Sequence, residues 1–352
     1  MKNINSHKLA LNNNPVTRLT TLWALSESML GGLLHAARVP FRGMIISSIA
    51  VIIICLIAYN SQTRGNILKA AVLVLAVKAG ISPHTPVAAY AAVFLQVLLG
   101  ELFFFNKRFF TLSSIVFGIL VGILTGLQKI ITLTIIFGNT LWEAINQFVN
   151  YVIKEFFLNA MEFASINFSF FLVVSYVSIH ILSGMAAGIF ASRIPVKISS
   201  TDVKNLLLPE INSVTLNLSN QKKSKKGKHW WKRPAYLFVF FISIGLLTLS
   251  YLNPEAINLN KNSLIIMLIR GFLIIIIWFY FLSPSISKLI QRLLNKSKNE
   301  YSNEITQVIE NLQLYKSIAA QVWKLSSKYT GVKRMNYFLT ALIVIVLNLP
   351  EN

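Results

Sequence analysis

The chain has 352 residues, 55% of them hydrophobic and only 13% charged, with a mean hydropathy of +0.61. A chain this apolar cannot be solvated by water on all sides, which excludes an ordinary soluble enzyme and makes lipid part of its solvent. Thirty-three Lys and Arg against 12 Asp and Glu leave a net charge of +21, but the cations lie mainly between apolar runs, where they set topology and meet anionic lipid rather than nucleic acid.

Residues 1–20 hold Lys2, Lys8 and Arg18 among Asn and Ser, without the apolar middle of a cleaved signal, and read as a cytoplasmic N-terminal tail. A bilayer core of about 30 Å needs about 20 residues of helix. Apolar runs near 21–36, 43–59, 67–80, 86–105, 113–137 and 166–191 then predict a six-helix membrane domain over 21–192. The run at 67–80 is short and flanked by Lys69 and Lys78. A basic linker over 193–233 follows, carrying Lys222, Lys223, Lys225, Lys226, Lys228, Lys232 and Arg233, which the positive-inside rule assigns to the cytoplasm. Counting from there, the N-terminus is inside, and the 139–165 loop, with Glu143, Glu155 and Glu162 against Lys154, is outside. The 37–42 turn, with Arg38 and Arg42, also falls outside, against the rule. Residues 234–352 form a second membrane unit. It comprises a hairpin of 235–252 and 263–283, amphipathic helices within 285–330, and a short apolar segment, Tyr337–Leu349. Ile286, Leu289, Ile290, Leu293 and Leu294 recur at helical spacing, as do Tyr301, Ile305, Val308, Leu312, Tyr315, Ala319 and Val322. The expected architecture is all-α: a polytopic transmembrane bundle of eight or nine segments in a bacterial cytoplasmic (inner) membrane, with cytoplasmic amphipathic helices near the C-terminus.

Small residues four apart line three of these helices: Ala24, Ser28, Gly32 and Ala36; Ser114, Gly118, Gly122 and Gly126; Gly184, Gly188 and Ser192. Such stripes let helix backbones approach closely, either within one bundle or, for the first stripe, against a partner membrane protein. The outer turns gather His35, Arg38, Arg42, Lys78 and His84, with Gln128, Lys129 and Trp142 nearby. That donor-rich set suits an anionic or polar small molecule, although long cations also snorkel to headgroups. Two imidazoles without carboxylates make a poor metal site, and no cofactor is called for. Glu27, Gln96, Glu101 and Arg270 lie in apolar runs and must find partners inside protein. Asp202 is the only aspartate, and phosphate-loop, GxSxG, HExxH and CxxC patterns are missing, so catalysis is disfavoured. The single cysteine, Cys55, lies in an apolar run and offers no disulfide framework.

Six spans with both ends inside, a small-residue stripe on the first and outer turns roofing a pocket resemble the substrate-binding membrane component of energy-coupling factor transporters. The part after the linker is similar to an abbreviated scaffold subunit of that family. The Ala-Arg-Gly type signature of the scaffold's coupling helices is replaced here by isolated Arg292 and Arg334. The resemblance implies capture of a small anionic or polar solute with separate ATP-binding subunits, docking through Ala24, Ser28, Gly32 and Ala36, and cytoplasmic contact through Leu289, Leu293 and Ile305. Two other classes fit the same residues. One is a membrane scaffold or assembly protein without transport activity. The other is a membrane enzyme acting on lipid-linked substrates, with Glu27 and Glu101 as its carboxylates.

Overall fold

The computed structural model describes residues 14–61, 63–81, 87–156, 167–199, 273, 285, 288, 292 and 301–349. Among them there are helices and no strand: α1 (Pro15–Leu25), a π-helical stretch (Ser26–Leu30), α2 (Gly31–Ala36), α3 (Arg42–Asn60), α4 (Asn66–Ile81), α5 (Val87–Phe103), α6 (Phe110–Phe137), α7 (Thr140–Phe156), α8 (Phe168–Ser199), α9 (Ser302–Leu325) and α10 (Gly331–Leu347). Three of these are long and apolar enough to cross a bilayer: Arg42–Asn60, Phe110–Phe137 and Phe168–Ile198. Such lengths and compositions are those of a membrane protein. Helix α4, at 16 residues, spans about 24 Å and falls short of a bilayer core. The expected hairpin over 235–283, the 200–233 part of the linker, Ile286, Leu289, Ile290, Leu293, Leu294, Arg270 and His84 lie outside the described residues.

The described chain divides into two compact units. The first contains residues 14–127, 177–199 and 301–349. Its middle is α3, apolar all round, whose residues Ala50 through Ala58 are all buried. Helix α1 packs against α3, α4 and α9, and α4 packs on α5. Helix α1 starts cleanly because Asn14 accepts from the Val16 amide (2.9 Å) and Pro15 sits at the first helical position. Its threonines bond back to the helix itself, Thr20 to the Val16 carbonyl and Thr21 to that of Thr17, so their hydroxyls cost little where they are buried.

The periodic row on α9 behaves differently from its expected role at a cytoplasmic surface. Ile305, Val308, Leu312, Tyr315, Ile318 and Val322 are buried against the chain's own α1 and α4. Ile305 is therefore a core residue, not a partner contact. Helix α10 folds back on α9, and its last turn is held by Arg18, whose guanidinium donates to the Leu347 (3.0 Å) and Val346 (3.4 Å) carbonyls. A cation at a helix C-terminus satisfies carbonyls that have no partner within the helix.

Helices α6 and α8 meet along their small-residue stripes within the first unit. A methyl group at Gly118 would sit on the Gly184 carbonyl oxygen, one at Gly188 on the Ser114 carbonyl, and one at Gly122 on that of His180. At Gly126 the Val177 Cα would be 3.3 Å away. These two stripes are spent on packing inside the chain, backbone against backbone.

The second unit, among described residues, is 128–156 with 167–176. The 139–165 loop expected from its polar composition is instead helix α7 over Thr140–Phe156. Gly138, at φ +70°, ends α6 in the left-handed conformation that favours glycine and turns the chain into α7. Trp142 anchors the first turn of α7 by donating to the Thr134 hydroxyl (3.0 Å). Asn167 caps α8, accepting from the Phe170 amide (3.1 Å) and the Ser169 hydroxyl (2.8 Å), while Asn146 of α7 both donates to Asn167 (3.0 Å) and accepts from the Ser169 amide (2.7 Å). Asn167→Ala should cost about 1 kcal/mol or somewhat more, because α8 loses its cap and Asn146 of α7 loses its acceptor. Faster amide exchange confined to the first turn of α8 would register it, and unchanged protection there would refute the cap.

Candidate functional site: a buried ion pair at a π-helical break

The first helix does not run as a regular α-helix. At Ser26–Leu30 its backbone becomes π-helical before resuming at Gly31. A π-bulge inserts a residue, weakens local pairing and occurs disproportionately at functional sites. Here the inserted turn carries Glu27. Its carboxylate Oε2 lies 2.7 Å from Lys78 Nζ on α4, and the two side chains are 4% and 6% exposed. Lys78 Nζ also stands 5.8 Å from the centre of the Tyr90 ring on α5, a weak cation–π geometry. Flanking hydroxyls bond back along the helix: Ser26 to the Trp23 carbonyl (2.9 Å) and Ser28 to that of Ala24.

A paired charge in this setting is expensive. Desolvating a carboxylate and an ammonium costs several kcal/mol each, and their attraction seldom returns more than that. The same interior holds further polar atoms without a hydrogen-bond partner: Trp23 Nε1 on α1, Gln96 Oε1 on α5 and Asn311 Oδ1 on α9. A fold optimised for stability alone would fill such positions with apolar side chains.

The described residues expected at an outer pocket are distributed over the two units. Lys78 belongs to the pair with Glu27 and is not a free cation among donors. Arg38 is exposed in the turn between α2 and α3 and Arg42 at the first position of α3; in that turn Arg38 (φ +51°) and Phe41 (φ +55°) adopt left-handed backbone that non-glycine residues rarely take. His35 is in the last turn of α2. Lys129 (exposed), Gln128 and Trp142 belong to the second unit. Of the first stripe, Ala24 and Ser28 are buried in the chain's own core, while Gly32 and Ala36 are exposed. Glu101 finds its partners inside the protein, as expected. It caps α4 by accepting from the Leu68 (3.0 Å) and Gly65 (3.3 Å) amides beside a cleft of about 260 Å³ that Arg64, Phe104 and Phe105 also line. Among the described residues no three His, Cys, Asp or Glu side chains gather as a metal ion needs.

From sequence Glu27 and Lys78 stand out separately, and their union is missed. A signal existed: they are opposite charges, each isolated in an apolar helix, and such groups must find each other or water. No protein-family model matches the chain, and no curated protein or solved structure shows significant similarity to it.

Proposed function

We propose that this chain is the membrane component of a transporter that captures a small polar or anionic solute and works with separate ATP-binding subunits in a bacterial cytoplasmic membrane. The observation that carries this reading is the Glu27–Lys78 pair, buried at a π-helical break in the first helix. Ionisable groups inside a membrane bundle mark substrate or ion routes more often than they mark stability. An ion pair can also exchange partners. A solute anion can take Lys78, and a solute cation or hydroxyl can take Glu27, so one pair recognises a polar molecule without leaving a charge unpaired in the empty state. The unpartnered Trp23 indole N–H and Gln96 carbonyl oxygen supply one further donor and one further acceptor in the same unit. Arg38, exposed in a strained turn, and Arg42, exposed at the start of α3, serve in this reading as the first cations an arriving anion meets.

The resemblance to energy-coupling factor components agrees in layout: six apolar runs before the basic linker, a small-residue stripe on the first, and no chemistry performed on the solute. Helices α6 and α8 use their own stripes internally, which leaves the exposed Gly32 and Ala36 end of the first stripe for a partner subunit. Native mass spectrometry of the chain purified in mild detergent tests the proposal. A discrete added mass, released on collisional activation and identifiable as one small polar compound, is expected. A bare chain mass from every preparation, with ATP-binding subunits not co-purifying, would favour the scaffold class instead.

A further inference from the structure

Helix α7 joins two helices that are each long and apolar enough to cross a bilayer, α6 and α8, and only Gly138 and Asn139 separate it from the first of them. The adjoining ends of those two helices are apolar and uncovered. Ile131 and Ile135 are exposed one turn apart near the end of α6, and Phe170, Phe171 and Val174 are exposed in the first turns of α8. Water is a poor solvent for such rows, so hydrocarbon reaches as far as Ile135 and Phe170. The boundary of the bilayer then falls beside Gly138 and Asn167. Polar groups gather at that level: Trp142 donates to Thr134, and Asn146, Asn167 and Ser169 bond to one another. An indole at the meeting of lipid and water is a common placement.

Helix α7 itself has 17 residues, about 26 Å, too few to cross. Its two sides differ sharply: Leu141, Ile145, Phe148 and Val152 recur on one, and Glu143, Gln147, Asn150 and Lys154 on the other. Glu143 and Gln147 are exposed, as polar side chains in water are, but so are Phe148 (54%) and Tyr151 (38%) on an edge of the apolar side. We infer that α7 lies flat in the interfacial layer of one leaflet, with its Phe148–Tyr151 edge among lipid headgroups and upper acyl chains and its Glu143–Gln147 edge in water. The surface it fits is lipid of any headgroup charge. Glu143 and Glu155 stand against Lys154, so anionic headgroups offer α7 no attraction, and burial of apolar side chains holds it. A second copy of the chain is a weaker occupant, because the exposed edge adjoins two helix ends whose own apolar residues already face lipid. With Trp142 tied to α6 and Asn146 to α8, a helix held at one depth fixes the depth of both neighbouring ends. This placement stands apart from the transport reading and holds whether or not a solute is carried.

Single cysteines replacing Ala144, Phe148 and Tyr151 on the apolar edge, and Glu143, Gln147 and Asn150 on the polar edge, test the placement in the full chain with Cys55→Ala. Each carries an environment-sensitive fluorophore, and the protein is reconstituted into phosphatidylcholine vesicles. A variant that fails to fold leaves two others on its edge. Lipids bearing a nitroxide near the headgroup should quench the 144, 148 and 151 probes about three-fold or more strongly than the 143, 147 and 150 probes, and all three of the first set alike. A water-soluble quencher should show the reverse order. Lipid quenching that deepens steadily from 144 to 151 would overturn the flat placement, because the helix would then enter the bilayer end first. Aqueous quenching alone at all six sites would overturn it by putting α7 in bulk water, and probes at 148 and 151 shielded from both quenchers would assign the edge to protein, a second copy included. Adding phosphatidylglycerol should leave the pattern unchanged, and lipid contact that appears only with it would contradict a surface of any headgroup charge.

Discussion

Lys78→Met alone should destabilise the first unit by about 3–5 kcal/mol, and Glu27→Leu alone by a similar amount, whereas Glu27→Leu with Lys78→Met should recover most or all of that loss. Each single change strands a charge among side chains that offer it no water, since both partners are almost fully buried. The double change replaces the pair by two apolar side chains of similar length, in a region walled by α1, α3 and α4. Well-packed hydrophobic replacements of buried ion pairs are often neutral or stabilising. In thermal unfolding followed by tryptophan fluorescence, the single variants should melt roughly 10 °C lower and the double variant near the wild type. A double variant as unstable as the singles would mean that the pair belongs to the fold, and the functional argument would lose its basis.

The second large effect concerns the crossing of α6 and α8. Gly118→Val and Gly184→Val should each cost about 3 kcal/mol or more, at the upper end of what overpacking does, because the added atoms meet a backbone carbonyl and not a side chain that can swing away. Accommodating either change requires the two helices to separate along the whole stripe, forfeiting the contacts at Gly122, Gly126 and Gly188 as well. Gly32→Ala is the matched control: its new methyl group meets nothing within 4 Å, and alanine is the better helix former by about 1 kcal/mol. Yield of monodisperse protein after size exclusion should collapse for the first two variants and hold for the third. Normal yields from Gly118→Val would contradict the close crossing.

The long apolar helices were legible because length and hydropathy alone identify them. The run at 43–59 corresponds to α3 and 113–137 to α6 with small shifts at the ends, and 166–191 to α8, which runs eight residues further, to Ser199, into what was expected as the linker. Helix α7 was not, since Glu143, Asn146, Gln147, Asn150, Lys154 and Glu155 make the segment read as a polar loop. Its apolar residues Leu141, Ile145, Phe148 and Val152 nonetheless recur at helical spacing. On α9 periodicity identified Ile305, Val308, Leu312, Tyr315 and Val322 of the buried row, with Ile318 buried where Ala319 was expected and Tyr301 and Ala319 only partly so, but it could not say what buries the row; the answer, α1 and α4, is a tertiary fact. The site was readable as single costly charges and not as a pair. Hydropathy has no term for a π-helical insertion, and that insertion is where Glu27 sits. For Glu101 the need for partners inside the protein was legible, but not which ones: the carboxylate, near the end of its apolar run, caps the neighbouring helix α4.

If the polar groups in the interior of the first unit are kept for a solute and not for the fold, removing them must cost binding without costing stability. Native mass spectra of the wild type and of the Glu27→Leu/Lys78→Met variant, purified side by side, test this most directly. A retained small molecule in the wild type, missing from an equally stable double variant, is the predicted result. The same added mass on both proteins would contradict it.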